Sequence, residues 1–160
     1  MNRKNISSDS IQVIARNRAA GYHYHILERF EAGLVLRGTE VKTLRAGAVT
    51  MREAYAEVRG TEVWLQNCHL PEYLPGGPFN HTALRSRKLL LNRREIDKLA
   101  GMVQQKGLTI VPLSLYFKNG YVKCEIGVAR GKQMHDKRQS ERDKEARKEA
   151  NDAMYRYRRR

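Results

Sequence analysis

The chain is poor in cysteine, which excludes disulfide-rich and zinc-stabilised domains. Its 160 residues include two cysteines and one tryptophan. Cys68 and Cys124 are too few for a disulfide framework and lack the paired spacing of a zinc site. The five histidines add no ligand pattern, since His23 and His25 alternate with tyrosines as in a strand and the other three stand alone. We therefore expect reduced thiols, no metal and no cofactor.

Long apolar runs are also missing. No stretch approaches the roughly 18 apolar residues of a membrane helix, and the sequence shows neither a signal-peptide pattern nor a lipidation motif. The sequence therefore predicts a cytoplasmic protein without a membrane segment. Its length suits one domain of ordinary size, and we expect a monomer.

Negative charge is scarce, and the positive excess is unevenly distributed. The chain has 31 Lys or Arg against 17 Asp or Glu, a formal net charge of +14. Residues 130–160 hold twelve of the bases and six of the acids, so they carry +6 of this excess with few apolar residues to bury. Such a segment is expected to stay mobile until a polyanion neutralises it, and nucleic acid is the expected partner.

The body of the chain has the alternation that is typical of strands. Residues 22–36 suggest a long strand with a bend or bulge at Gly33, and turns at Arg59-Gly60 and Asn119-Gly120 predict two hairpins. In the second hairpin, the predicted core faces are Val111, Leu113, Leu115 and Phe117 on one strand and Val122, Cys124, Ile126 and Val128 on the other. Short helices are predicted after a Thr39 cap and an Asn92 cap, and residues 70–80 form a Pro- and Gly-rich loop. The predicted fold is mainly β, a small closed antiparallel barrel of the oligonucleotide-binding type with about six strands and peripheral short helices.

This pattern divides the chain into three parts. Residues 1–20 predict a flexible basic arm, residues 21–130 an RNA-binding β-barrel, and residues 131–160 a basic C-terminal tail. Apolar residues recur at helical spacing in the tail but form only a thin stripe: Ala146, Ala150, Ala153, Met154 and Tyr157. Because an isolated helix of about twenty residues is marginal in water, we expect this tail to be disordered when free and helical when bound.

Basic and aromatic residues of the body suggest an RNA surface. The densest basic cluster is Arg85, Arg87, Lys88, Arg93 and Arg94, and it predicts a rim that contacts phosphates, the alternative being a solvated face. Four tyrosines either offer rings to unstacked bases or fill space in the core or on the surface: Tyr22, Tyr24, Tyr116 and Tyr121. Glu31 either faces solvent or accepts hydrogen bonds from bases. Asn17 and Asn92 bind either a base edge or their own backbone, with a helix cap favoured for Asn92.

No pattern typical of catalysis is present. The sequence offers no nucleophile with a base, no paired acids in apolar surroundings and no phosphate-cradling glycine loop. His135 and Asp136 are adjacent in the predicted mobile tail, which cannot hold the geometry that acid–base chemistry needs. We therefore expect a protein that is not an enzyme, with an RNA-processing enzyme of unrecognised site as one rival.

Four ordered stretches of the sequence resemble the SmpB family, the bacterial SsrA-binding proteins. They are FEAGLVLRGTEVKTLRAG at residues 30–47, RKLLLNRREIDKL at 87–99, LSLYFKNG at 113–120 with VARGK at 128–132, and HDKR at 135–138. The resemblance runs from about Asn17 to Arg138. It implies a barrel of about six antiparallel strands and a non-enzymatic adaptor of trans-translation, which rescues ribosomes stalled without downstream mRNA.

The resemblance also implies partners and contact residues. The partners are transfer-messenger RNA, whose tRNA-like domain the barrel binds, and the ribosome, whose decoding centre and mRNA channel receive the tail. The implied contacts with the tRNA-like domain are Asn17, Tyr24, Glu31, Lys88, Leu90 and Asn92. The implied ribosome contacts of the tail are Gly131, Lys132, His135, Asp136, Lys137, Arg138 and Met154. A ribosomal or assembly protein that binds rRNA is the rival within the same broad class.

Overall fold

The computed structural model describes residues 10–159. Residues 1–9 of the predicted arm and Arg160 of the predicted tail lie outside this part. The described elements are β1 (Ile11–Arg16), α1 (Arg18–His23), β2 (Tyr24–Leu34), α2 (Gly38–Arg45), β3 (Tyr55–Arg59), β4 (Glu62–Gln66), a 3-10 turn (Leu74–Phe79), β5 (Arg87–Leu90), α3 (Arg93–Val103), β6 (Leu108–Lys118), β7 (Tyr121–Gly131) and α4 (Met134–Arg158).

Six strands form a ring of antiparallel pairings. β6 pairs with β3, and the order continues through β4, β5 and β2 to β7, which returns to β6. A ring gives each of these strands a neighbour on both sides and so protects the sheet edges. The predicted mainly β, antiparallel architecture with short helices is confirmed.

Both predicted hairpins are present. β6 and β7 are joined at Asn119 and Gly120, whose φ angles of 52° and 82° match the turn that an Asn-Gly pair favours. β3 and β4 are joined across the pair of Arg59 and Glu62, with Gly60 at a φ of 59°. Asparagine and glycine tolerate positive φ better than other residues, which explains why these turns could be read from the sequence.

A β-bulge at Leu113 changes which residues of β6 face the main core. The pairing with β7 shifts by one residue between Pro112 and Ser114. Val111, before the bulge, packs in a small cluster with α1, whereas Leu115, after it, is fully buried in the main core. The predicted single core face of this strand is therefore wrong, because one extra residue exchanges the two faces of a strand. The predicted face of β7 is confirmed, since its four apolar residues are all buried.

The bulge of β2 lies at Leu27 rather than at Gly33. The pairing with β7 shifts between Ile26 and Glu28. Gly33 instead pairs with Leu90 of β5, and a Cβ on Gly33 would lie 3.2 Å from the Cβ of Leu90. The glycine therefore serves the close approach of β5, not a bend.

Part of the predicted flexible arm, from Ile11 onward, has regular secondary structure in the protein. Ile11–Arg16 forms β1, which pairs antiparallel with the second half of β6, and α1 follows it directly. Ile11 and Val13 stay exposed, so β1 shows little apolar periodicity. It is held by backbone hydrogen bonds to an edge that another strand supplies, and composition does not reveal such a partner.

A buried ion network lies beneath β5. Glu40 of α2 accepts hydrogen bonds from Arg87 Nε at 2.8 Å and from Arg85 Nε and Nη2 at 2.9 and 2.7 Å. Arg87 and Glu40 are fully buried, and Arg87 also donates to the Cys68 carbonyl oxygen at 2.7 Å. Burial alone would raise the pKa of Glu40, but bonds from Arg85 and the Arg37 backbone, together with the charge of Arg87, lower it to about 2.

This network corrects the predicted phosphate rim. Arg85 and Arg87 are committed to Glu40 inside the protein, which leaves Lys88, Arg93 and Arg94 nearer the surface. Their carboxylate partner lies more than forty residues earlier in the chain. Because this partner is distant in sequence, the local charge pattern alone predicts that both guanidinium groups are available to a ligand.

Two smaller features of this region also differ from expectation. Thr39 does not cap α2; its hydroxyl bonds His81 Nδ1 at 2.9 Å, and the Glu40 carboxylate accepts the Arg37 backbone N–H at 2.8 Å. The Pro- and Gly-rich loop contains the 3-10 turn Leu74–Phe79. The Asn80 side chain ties this loop together by bonding both the N–H and the carbonyl oxygen of Tyr73.

Replacing Glu40 by glutamine should destabilise the fold strongly at neutral pH. Removing one charge of a buried pair costs about 3 to 5 kcal/mol, because the other charge is left uncompensated. We expect this loss in the free energy of unfolding of Glu40→Gln, measured with urea at pH 7. The control Asp97→Asn removes the exposed partner of Arg93 and should cost about 0.5 kcal/mol or less.

The pH dependence gives an independent check of the same network. Since folding lowers the pKa of Glu40 from 4.5 to about 2, its contribution is complete above pH 4.5 and is lost as the pH falls towards 2. The stabilities of the parent and Glu40→Gln should therefore converge in that range. A difference that does not change with pH would contradict the buried ionised carboxylate.

Candidate nucleic-acid interface

Three of the predicted RNA contacts share the outward side of β2 and β5. In β5, Arg87 and Leu89 are buried, so the alternate residues Lys88 and Leu90 point outward. In β2, Glu31 is exposed between two buried neighbours. We call the surface formed by Glu31, Lys88 and Leu90 the β2–β5 face. It combines a carboxylate, an ammonium group and a leucine that is 51% exposed.

The strand register shows how these side chains are arranged along one side of β2 and β5. Gly33 of β2 pairs with Leu90 of β5, which places Glu31 two residues along the strand from this pair. Asn92 follows two residues after Leu90 and stands at the N-cap position of α3, where it is exposed. The Glu95 carboxylate accepts the Asn92 backbone N–H at 3.0 Å, as in one half of a capping box. The face thus continues from the sheet to the start of a helix.

The carboxylate of Glu31 is held in place by two residues of β6. The Tyr116 hydroxyl donates to its Oε2 atom, and Lys118 Nζ lies 3.2 Å from Oε1. The hydrogen bond from Tyr116 lowers the pKa of Glu31; burial opposes this effect, and Lys118 adds to it. Glu31 is therefore an ionised and oriented acceptor, which suits a base N–H better than a phosphate.

Lys88 is also held by a neighbouring strand. Its Nζ atom lies 2.8 Å from Glu62 Oε1, and Trp64 Nε1 donates to the other oxygen of Glu62 at 3.2 Å. The side chain of Lys88 remains 37% exposed. An ammonium group has three donors, so this one can bind a phosphate while it keeps its carboxylate partner.

Asn17 is not part of this face and has an internal role. Its Nδ2 atom donates to the carbonyl oxygens of Pro112 at 2.9 Å and Met51 at 3.2 Å. Its Oδ1 atom accepts the backbone N–H of Ala20 at 3.3 Å and so caps α1. Both N–H donors of the amide and one lone pair of its oxygen are used within the protein, which favours the backbone-binding alternative for Asn17.

Tyr24 lies at the start of β2, beside the root of the tail. It pairs with Gly131, the last residue of β7, and is about 23 Å along the strand from Glu31 at 3.3 Å per residue. A groove of about 700 Å³ opens at this end between the body and the tail, and Arg52, Tyr55 and Lys137 are among the residues that line it. The predicted RNA contacts thus fall into two groups joined by β2.

The tail begins in the sheet and continues as α4. Lys132, Asp136 and Lys137 lie against the body, whereas His135, Arg138 and Met154 are exposed. No residue of α4 among those described is buried. The predicted tail residues therefore divide into a group that faces the body and a group that is open to a partner.

Sequence reasoning missed the role of Tyr116. Tyr116 is one of the four tyrosines that the sequence offers for stacking on bases, but the residue is only 7% exposed. A buried tyrosine signals that its hydroxyl needs a partner. Identifying that partner as Glu31 requires the register of three strands, because Tyr116 and Glu31 lie 85 residues apart in the chain.

Within residues 10–159, no group of three or more His, Cys, Asp and Glu side chains could hold a metal ion. Over the same residues, every helix is too short or too polar to span a bilayer.

Replacing Tyr116 by phenylalanine should raise the pKa of Glu31, because the hydrogen bond that stabilises the ionised carboxylate is lost. The pKa can be followed by carbon-detected NMR titration of the Glu31 carboxyl group. In the parent, the lowered pKa stabilises the fold above the ordinary value of 4.5, and this contribution is lost as the pH falls below it. Tyr121→Phe, at a tyrosine that is 73% exposed, should leave the titration unchanged. An unchanged Glu31 titration in Tyr116→Phe would contradict the assigned contact.

Comparison with known proteins identifies relatives over nearly the whole described chain. The family model described as "SmpB protein" matches residues 14–156. The SsrA-binding protein of Thermosynechococcus vestitus is 52% identical over 147 residues, covering 91% of this chain and 97% of the relative. The SsrA-binding protein of Halalkalibacterium halodurans is 49% identical over 143 residues, with 89% and 93% covered.

A solved structure gives the same result. It is described by the words "tmRNA-SmpB: a journey to the center of the bacterial ribosome", and one of its chains is 43% identical with a TM-score of 0.61. The similarity covers 80% of the present chain and 87% of that chain. Both the strand ring and the start of the C-terminal helix lie inside the matched range of the family model. The chain therefore belongs to the SmpB family.

Proposed function

We propose that the protein is an adaptor that binds the tRNA-like domain of transfer-messenger RNA and carries it to ribosomes stalled without downstream mRNA. The observation that supports this proposal is the match to the SmpB family over both the body and the tail. The relatives are named for binding SsrA, and the similar solved structure is named for tmRNA, SmpB and the ribosome. In this proposal the adaptor works without catalysis and acts in the cytoplasm.

The body binds the RNA through the β2–β5 face and the neighbouring Asn92. Glu31 accepts hydrogen bonds from base or ribose groups, and Leu90 packs against an exposed base or sugar. Lys88 binds a phosphate. Tyr24 extends the contact along β2, and Asn17 supports it by fixing α1 on the sheet. Because Glu31 and Lys88 are already oriented by their partners, little conformational freedom is lost on binding.

The tail acts on the ribosome. Gly131, Lys132, His135, Asp136, Lys137 and Arg138 lie at the decoding centre, and Met154 lies in the downstream mRNA channel. A basic helix with no buried residue has the chemistry for a groove lined by phosphates. Where message still occupies that groove, the tail and the message exclude each other, so the tail reports an empty channel. Its distal part lies there as the helix that extends to Arg158.

The rival functions make different demands on the tail. A protein that only binds rRNA through its body has no need of α4, and an RNA-processing enzyme needs turnover. The division between a body that grips one RNA and a helix that enters the ribosome is specific to the adaptor. Separating the two activities by truncation therefore tests the proposal.

Truncation after Gln133 removes α4 and preserves β7, which ends at Gly131. The truncated protein should bind the isolated tRNA-like RNA within about threefold of the parent, because the β2–β5 face is intact. It should lose rescue of stalled ribosomes in a reconstituted translation assay. Collapse of the RNA affinity, or rescue that survives the truncation, would contradict the division of roles.

Leu90→Ala should weaken binding of the tRNA-like RNA by about tenfold, since a central apolar contact is worth more than about 1 kcal/mol. Leu84→Ala is a matched control, because Leu84 is 53% exposed and Leu90 is 51% exposed. Fluorescence anisotropy with labelled RNA gives both affinities at one salt concentration. Equal effects of the two substitutions would remove Leu90 from the interface.

A further inference from the structure

The first three turns of α4 are attached to the body at one aromatic side chain, Tyr22 of α1. Its hydroxyl donates a hydrogen bond to Glu141 Oε1 at 2.8 Å. Lys137 Nζ and Lys144 Nζ lie 5.8 and 5.9 Å from the centre of its ring, within the range of cation–π attraction. Residues 137, 141 and 144 lie on one face of a helix, so one tyrosine contacts three successive turns.

Polar contacts at the root of the tail support the same placement. Lys132 Nζ donates to the Gly21 carbonyl oxygen and to Ser140 Oγ, both at 3.0 Å, and the Lys132 backbone N–H donates to the His23 carbonyl oxygen at 2.8 Å. His25 Nε2 lies 3.6 Å from Asp136 Oδ2. We call this set of contacts around Tyr22 the docking contact. It contains a ring and several charges but no buried apolar surface from α4.

The rest of the helix depends on the docking contact for its direction. In the described part of α4, residues beyond Lys144 form no hydrogen bond or ion pair with the body. From Lys144 to Arg158 the helix extends about 21 Å at 1.5 Å per residue. A small rotation at the root therefore moves the tip through a large distance.

We propose that Tyr22 is a positioning residue for the tail, fixing the direction in which α4 leaves the body. The docking itself is a property of the free protein. Its consequence for rescue rests on the proposed function: a tail aimed in one direction enters the mRNA channel while the body holds its RNA. If only a fraction of molecules has the tail so aimed, the observed rate falls with that fraction.

The direction of the tail can be measured as a distance in the full-length protein. Spin labels on Thr61→Cys, at the β3–β4 turn, and Asn151→Cys, on α4, report the angle between body and helix by double electron–electron resonance. Cys68 and Cys124 are fully buried, and burial raises the pKa of both thiols, so they do not compete for the label.

The parent should give one narrow distance distribution, and Tyr22→Ala should lower the docked population by about tenfold. Tyr22→Phe keeps the ring and should retain a large part of that population. Tyr121→Ala, at an exposed tyrosine remote from the tail root, is the matched control. A broad distribution in the parent, or one that Tyr22→Ala leaves unchanged, would overturn the docking whatever the protein binds.

Rescue of stalled ribosomes tests the consequence. Tyr22→Ala should slow rescue by about the same factor by which it lowers the docked population, with the affinity for the tRNA-like RNA within about twofold of the parent. Tyr22→Phe should restore most of the rate. Unchanged or faster rescue despite a broadened distribution would overturn the positioning role, as would loss of RNA affinity. A parent protein that neither binds the RNA nor rescues ribosomes would instead contradict the proposed function. In that case the distance measurement alone would decide whether the tail is docked.

Discussion

The pairing of β2 with β7 is the constraint from which both working parts of the molecule follow. The first pair of this ladder joins Tyr24 to Gly131, and α4 begins three residues after Gly131. At its other end, β2 pairs with β5 through Gly33 and Leu90, while Gly33 still pairs with Lys123 of β7. One strand therefore fixes the origin of the tail and the edge of the β2–β5 face. Because backbone hydrogen bonds run along its length, these two regions keep a fixed separation without a second domain.

The buried network under β5 changes how the RNA surface should be understood. Arg85 and Arg87 form ion pairs with Glu40, so the face above them is less basic than the sequence suggests. What it presents instead is a small number of oriented groups, with Glu31 among them. Groups of this kind select a particular RNA shape, whereas a dense field of cations would bind any polyanion. Under the proposed function, specific recognition would therefore belong to the body and general attraction to phosphate to the tail.

The sequence predicts those features whose cause is local and misses those whose cause is a distant partner. The Asn119-Gly120 turn, the start of α3 after Asn92 and the core face of β7 follow from residue type and spacing. The bulge at Leu113 does not, because apolar residues lie on both sides of it and one extra residue exchanges the faces. The internal role of Arg87 and the support of Glu31 by Tyr116 likewise depend on strands that meet only in three dimensions. The family resemblance implies contact residues such as Glu31 and Lys88, but it does not indicate which neighbours hold them.

The charge along the tail adds a direction to its attraction for phosphate. Residues 134–152 contain six bases and six acids, so this stretch of the chain is neutral in sum. Residues 153–160 contain four arginines and no acid. Alternating charges stabilise a solvated helix, and positive charge near the C-terminus stabilises it further by a favourable interaction with the helix dipole. The net attraction to phosphate therefore acts on the tip of the helix. At the root, Glu141 and Asp136 take part in the docking contact. Under the proposed function, a helix held at its root and attracted at its tip would enter a phosphate-lined channel end first, which is the order that exclusion by residual message requires.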